Sequence, residues 1–144
     1  METKYKIGDV LAVRDMSGNV LASDIKSISI KKGNNVIYML SNQQEVHETS
    51  ELYEDYDIRI IKKVASMNQN DLEDNQGTVT KYDIGDILMT VNYYDEYHSA
   101  DITMIGVDEE GVCYLLSNGD RADEIPVDNS WTRIVGKIGD LWHV

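Results

Sequence analysis

Phenylalanine is absent from these 144 residues, and cysteine and proline each occur once. Without Phe, aromatic packing falls to nine Tyr and two Trp, and aliphatic residues are expected to dominate the core. The single thiol, Cys113, excludes an intramolecular disulfide and suits a reducing compartment. No apolar run approaches the roughly 18 residues of a membrane span, and the opening METKYKIGDV has no cationic segment leading into an apolar one. A cytoplasmic location is therefore expected. Cations are scarce too: 13 Lys and Arg stand against 26 Asp and Glu, a formal net charge of −13.

What is present is enough to fold. Hydrophobic residues make up 42% and charged residues 27%, within the range of globular chains. Reading the chain against itself reveals an internal duplication. Lys4-Tyr5-Lys6-Ile7-Gly8-Asp9-Val10-Leu11 recurs as Lys81-Tyr82-Asp83-Ile84-Gly85-Asp86-Ile87-Leu88. The same offset pairs Asp24 and Ile25 with Asp101 and Ile102, and Ile28 and Ile30 with Ile105 and Val107. Past Gly33 and Gly111 the offset drops by one residue, and VIYMLSN matches VCYLLSN; Arg59-Ile60-Ile61 and Arg133-Ile134-Val135 close the two copies. The copies span residues 1–66 and 81–144, with the polar stretch 67–80 as linker.

Each copy reads as four or five short strands. Runs of Ile, Val, Leu, Tyr and Met are cut by turn residues such as Ser17-Gly18-Asn19, Gly33-Asn34-Asn35 and Asn118-Gly119-Asp120. Between residues 43 and 56, the spacing of Val46, Thr49, Leu52, Tyr53 and Tyr56 predicts a short helix instead. Pro126 makes a turn the expectation in the second copy. Trp142 in the tail is a candidate plug between the copies.

The order of blocks, Tyr-x-Ile-Gly-Asp-x-Leu, an Ile-rich strand, a Tyr-x-Leu strand and a final Arg-Ile strand, resembles small SH3-like barrels, including KOW- and Tudor-like modules and small uncharacterised proteins of bacteria and their phages. That resemblance implies a mainly β fold of two tandem SH3-like barrels, and a binding role. No functional residue carries over from it, because this architecture serves many unrelated partners.

Catalytic and metal-binding patterns are missing. Gly8-Asp9 and Gly85-Asp86 fit a turn leading into a strand better than a pair of catalytic carboxylates. Cys113, in the setting DEEGVCYLL, replaces Ile37 of the first copy and is expected in the core, since acidic neighbours disfavour a thiolate. His47, His98 and His143 have no ligand spacing, so no metal or cofactor is expected. Clusters such as Asp108-Glu109-Glu110 lack the fixed spacing of a calcium loop and read as solvated turns. The expectation is that the chain is not an enzyme.

Charge divides unevenly. Residues 1–66 carry 9 Lys and Arg against 10 Asp and Glu, whereas residues 67–144 carry 4 against 16. Such a second copy repels nucleic acid. The first copy holds a weak basic area in Lys26, Lys31, Lys32, Lys62 and Lys63. The second holds NYYDEYH where the first has DMSGNVL, and Tyr is a residue type enriched in dominant interface positions.

The expected partner is accordingly a protein with a basic surface. Candidate contact residues are Tyr93, Tyr94, Asp95, Glu96, Tyr97, Asp108, Glu109, Glu110, Asp120, Asp123, Glu124 and Trp131. The function this favours is inhibition of a nucleic-acid-binding protein by DNA mimicry, by analogy with acidic phage and mobile-element proteins that block restriction or CRISPR nucleases. The alternative is a tandem peptide reader or adaptor, with Tyr93, Tyr97 and Trp131 forming an aromatic groove.

Overall fold

The computed structural model describes residues 1–53, 55–66, 77–125 and 132–141. The chain divides into two compact units, one comprising Glu2–Ser29 and Asn35–Val79, the other Thr80–Val144 with Met1 and Ile30–Asn34. Among the described residues the fold is mainly β: ten strands, all paired antiparallel where the register is defined, one 3₁₀ turn and one helical turn.

In the first copy, β1 (Asp9–Arg14), β2 (Val20–Lys31), β3 (Asn35–Leu40) and β4 (Glu45–His47) form a meander, and β5 (Arg59–Ser66) returns to pair with β1. In the second, β6 (Ile87–Asn92), β7 (Tyr97–Asp108), β8 (Gly111–Leu116) and β9 (Arg121–Asp123) repeat that order, and β10 (Thr132–Lys137) returns to β6. The strand β7 is shared between neighbours: Ile87 to Val91 pair with Asp101 to Tyr97, and beyond Ile102 the same strand pairs with β8.

One irregularity explains the spacing of the buried isoleucines. Strict alternation would bury every second residue, yet Ile25, Ile28 and Ile30 are buried, as are Ile102, Ile105 and Val107. A three-residue step needs one extra residue in the strand, and the β7–β8 register shifts between Ile102 and Met104. Around these side chains lie Leu11, Val13, Tyr38, Leu40 and Ile60 in the first copy, and Leu88, Tyr114, Leu116 and Ala122 in the second, all buried.

The Ile-Gly-Asp repeat is a structural turn. Gly8 and Gly85 sit at φ of +91° and +90°, a region that L side chains avoid. Their amides donate to the carbonyls of Ile25 and Ile102. The following carboxylates, Asp9 and Asp86, accept the amides of Lys6 and Asp83 at 3.0 and 2.9 Å. They also meet Lys63 and Lys137 at 3.1 and 3.5 Å. Asp9 is almost wholly buried, whereas Asp86 is partly exposed.

Buried tyrosines find partners in the same way in both copies. The hydroxyl of Tyr38 donates to Glu48 and accepts the amide of Tyr5; that of Tyr114 donates to Glu124 and accepts the amide of Tyr82. Glu48 and Glu124 also accept the amides of Lys4 and Lys81. In each unit the two rings meet edge to face, 5.7 Å apart for Tyr5 and Tyr38 and 5.4 Å for Tyr82 and Tyr114.

The helix expected from residues 43–56 does not form. Val46 is buried in β4 opposite Tyr38, residues 48–51 make a single 3₁₀ turn, and Leu52 and Tyr53 are exposed. Two side chains, one from the turn and one from β5, tie that turn to β5. The hydroxyl of buried Ser50 accepts the Ile60 amide, and the Arg59 guanidinium donates to the carbonyls of Ser50 and Glu51.

Within the stretch expected as linker, residues 67–76 lie outside the described residues. Thr78 exchanges hydrogen bonds with Thr3, and Val79 bridges Glu2. A side chain at Gly77 would collide with the carbonyl of Thr3 at 1.6 Å. No helix among the described residues is long and apolar enough to cross a membrane.

Candidate partner-binding surface

The tyrosine loop of the second copy stands on an asparagine. The Asn92 carboxamide oxygen accepts the amides of Tyr94 and Glu96 at 2.9 and 3.0 Å, and its backbone pairs with Glu96 and Asp95. In the first copy Asp15 makes the equivalent bonds to Ser17 and Asn19, both at 2.9 Å. Gly18 occupies the left-handed position there at φ +85°, and Asp95 takes it in the second copy at φ +61°. The loop conformation is thus shared, and only what it displays has changed. Tyr93, Tyr94 and Tyr97 are 73%, 65% and 65% exposed, and the rings of Tyr93 and Tyr94 stand edge to face 5.7 Å apart. Asp95 and Glu96 between them are exposed as well.

At the other end of β7, the tight turn through Asp108, Glu109 and Glu110 is held by the Asp108 carboxylate, which accepts the Glu110 amide at 2.8 Å. Beside it lies a concavity of about 200 Å³. Asp108, Glu110, Asp123 and Glu124 supply its carboxylates, Val112, Cys113 and Ile125 its apolar wall, and Arg121 the one cation among its described residues. The register places these groups together, since Cys113 faces both Gly106 and Asp123 across the ladder. Burial raises the Cys113 thiol pKa; Arg121 opposes the shift, while Asp123 and Asp108 add to it. A thiol held neutral in this way is a poor nucleophile. Cys113 is half-buried against the concavity, not sealed in the core as its strand position implied.

The structure therefore gathers some of the expected contact residues and separates others. Asp108, Glu110, Asp123 and Glu124 converge, with Glu109 exposed on the adjoining turn. Tyr93, Tyr94, Asp95, Glu96 and Tyr97 form a second group; β7, whose twelve residues run from Tyr97 in this group to Asp108 in the other, spans about 36 Å if extended. Asp120 belongs to neither: it lies in the β8–β9 turn, where its carboxylate accepts the Asn118 side-chain amide. Trp131, like Pro126, Trp142 and His143, lies outside the described residues. Glu124 also has an internal task, since its carboxylate accepts Tyr114 and Lys81.

Comparing the copies shows which of these positions belong to the fold. Glu124 matches Glu48, which performs the same hydrogen bonding. By contrast Asp108, Arg121 and Asp123 match Lys31, Glu45 and His47. The charge at those three positions is thus not set by the fold.

In the basic area expected in the first copy Lys63 is engaged by Asp9, while Lys31, Lys32 and Lys62 are exposed. His98 lies 3.8 Å from Glu96 on the surface, and the His47 ring lies against Tyr56. Among the described residues no group of His, Cys, Asp and Glu is arranged to hold a metal ion. Sequence reasoning missed the roles of Arg121, Val112 and Ile125 in the acidic concavity. The first two were legible from the cross-strand register that the Asn118-Gly119 turn imposes.

Comparison with known proteins finds no matching family model, no matching curated protein and no matching solved structure.

Proposed function

We propose that this chain is a non-enzymatic binding protein built from two tandem SH3-like barrels, whose acidic second copy docks on the basic surface of a nucleic-acid-binding protein and excludes its substrate. The strand order supports the barrel reading: a four-strand meander, a fifth strand returning to the first, a long strand shared by two neighbours, and a 3₁₀ turn before the last strand. The observation that carries the docking reading is the convergence of Asp108, Glu110, Asp123 and Glu124 on one concavity, where Arg121 is the one cation among the described residues. At about 200 Å³ it lies below the roughly 300–1,000 Å³ typical of small-molecule sites. Its acids reject phosphate, and its raised thiol pKa gives no nucleophile. A basic side chain from a protein suits both its size and its charge.

Electrostatic steering of this kind weakens with salt, because the Debye length falls from about 10 Å at 0.1 M to about 3 Å at 1 M. The deciding experiment is capture of basic DNA-binding proteins on the immobilised chain at low and high salt, followed by competition with duplex DNA. Mimicry requires that DNA displace the captured protein and that salt release it; capture indifferent to both overturns the proposal.

A second reading, a peptide-binding adaptor, is favoured by the three exposed tyrosines of the β6–β7 loop. Under that reading Tyr93→Ala with Tyr97→Ala abolishes capture, while neutralising Asp108 and Glu110 leaves it intact.

A further inference from the structure

The nine tyrosines fall into two classes. Tyr5 with Tyr82, and Tyr38 with Tyr114, recur at the repeat spacing and are buried. The remaining five all lie in two segments where tyrosine alternates with acid, YEDYD at 53–57 and YYDEY at 93–97. The first segment has no role in the reading above, and its copy is close to neutral. Its described side chains nevertheless converge, for Tyr53, Asp55, Tyr56 and Asp57 line one wide, shallow concavity of about 500 Å³.

We infer that this concavity is a second, independent binding site, and that its occupant is an arginine side chain of a basic protein segment. Three features select that occupant. Tyrosine faces attract cations, and guanidinium, being planar and weakly hydrated, stacks on them better than ammonium does. Asp55 and Asp57 flank the rings and offer carboxylates that a guanidinium fork engages with two parallel bonds. One ring is fixed in advance: the Tyr56 hydroxyl shares a 2.8 Å hydrogen bond with Thr49, and its ring lies 5.8 Å from that of His47. A ring already held loses less freedom on binding. The mouth is too open to enclose a small molecule, whereas an arginine laid along the surface keeps the rest of its chain in solvent.

The test uses the full chain and an arginine-rich peptide in a Gly/Ser background, with a lysine peptide of equal charge and a citrulline peptide as comparators. Backbone amide chemical shifts report where each binds. Titration with the arginine peptide is expected to shift resonances at 53 and 55–57, with affinity falling roughly tenfold in Tyr53→Ala/Asp57→Asn. Tyr56→Phe, which keeps the ring, retains most of the affinity. The lysine peptide binds this loop several-fold more weakly, and the citrulline peptide leaves it unshifted. In a chain carrying Asp108→Asn, Glu110→Gln and Asp123→Asn the shifts at 53–57 persist, which separates this site from the acidic concavity of the second copy. Shifts confined to residues 80–125, equal response to lysine and arginine, or full affinity in the Tyr53→Ala/Asp57→Asn variant would each overturn the inference.

Discussion

Glu124 accepts the phenolic hydroxyl of Tyr114, and at the matching positions of the first copy Tyr38 donates to Glu48 across 2.5 Å. A carboxylate kept in both copies for this bond serves the fold, and the change that tests it is Tyr114→Phe. That substitution leaves the buried Tyr82 amide without its acceptor and Glu124 with the Lys81 amide in place of two donors, at a cost of about 1–3 kcal/mol. Glu124→Gln, whose amide oxygen still accepts, costs about 1 kcal/mol. Exposed Asp108→Asn stays within about 0.5 kcal/mol. Urea midpoints at constant m-value provide the comparison; equal midpoints for Glu124→Gln and Asp108→Asn would remove the structural assignment.

Alkaline pH attacks the same network. Burial, then the hydrogen bonds to Glu51, Glu48 and Glu124, raises the pKa values of Tyr5, Tyr38 and Tyr114 respectively. Their folded values therefore lie above the unfolded value of about 10. Below that pH both states are protonated and the contribution to stability is complete. Above it the unfolded chain sheds protons that the folded chain retains, so each group lowers the unfolding free energy by about 1.4 kcal/mol per pH unit. Three groups together give about 4 kcal/mol per unit. Urea melts at pH 9 and pH 11 should show this loss, and Tyr38→Phe should reduce its slope by about one third. A stability unchanged between those pH values would contradict the burial of these hydroxyls.

The two Ile-Gly-Asp turns separate burial from sequence. Asp9 is 1% exposed and its Oδ1 meets Lys63 at 3.1 Å without a hydrogen bond, whereas Asp86 and Lys137 sit 3.5 Å apart and partly in solvent. Breaking a buried pair costs about 3–5 kcal/mol. Lys63 reaches solvent in part, so Asp9→Ala should fall nearer the lower figure. The exposed pair is worth at most about 1 kcal/mol. Asp86→Ala therefore costs about 1–2 kcal/mol, its pair together with the Asp83 amide bond. Thermal and urea melts of the two variants check the difference; the same loss in both would mean that burial does not set the strength of the pair.

Much of this architecture was legible in the chain. The Gly8 and Gly85 repeats mark turns because a left-handed backbone followed by an acid has few other uses, and the isoleucine spacing carried the bulge in plain view. Val46, Thr49, Leu52, Tyr53 and Tyr56 satisfy a helical period by chance, and no helix follows from it. Long-range partners overrode it: Tyr38 for Val46, and Arg59 with Ser50 for the turn. The acids of the second copy were visible as a count, but a count cannot assign partners. Glu124 turned inward to Tyr114, Asp120 went to a separate turn, and Asp108, Glu110 and Asp123 converged because the hairpin register brings Cys113 opposite Asp123. Strand pairing, not composition, decided which charges meet.

That convergence gives the most direct test of docking. Asp108→Asn, Glu110→Gln and Asp123→Asn together remove three negative charges from one concavity without removing the acceptor that holds the Asp108 turn. Among the described residues the ion pair lost is the exposed contact of Asp123 with Arg121 at 4.0 Å, which contributes little. Relief of like-charge repulsion offsets that loss, so stability should stay within about 0.5 kcal/mol of the parent. A control with Glu2→Gln, Glu45→Gln and Asp101→Asn, all exposed and outside both concavities, has the same net charge but leaves each concavity intact. If docking depends on the concavity, the first triple variant loses affinity for a captured basic protein by at least tenfold and flattens its salt dependence, and the control changes affinity far less. Equal losses in the two would show that overall charge alone drives association, and that the second copy's concavity has no special part in it.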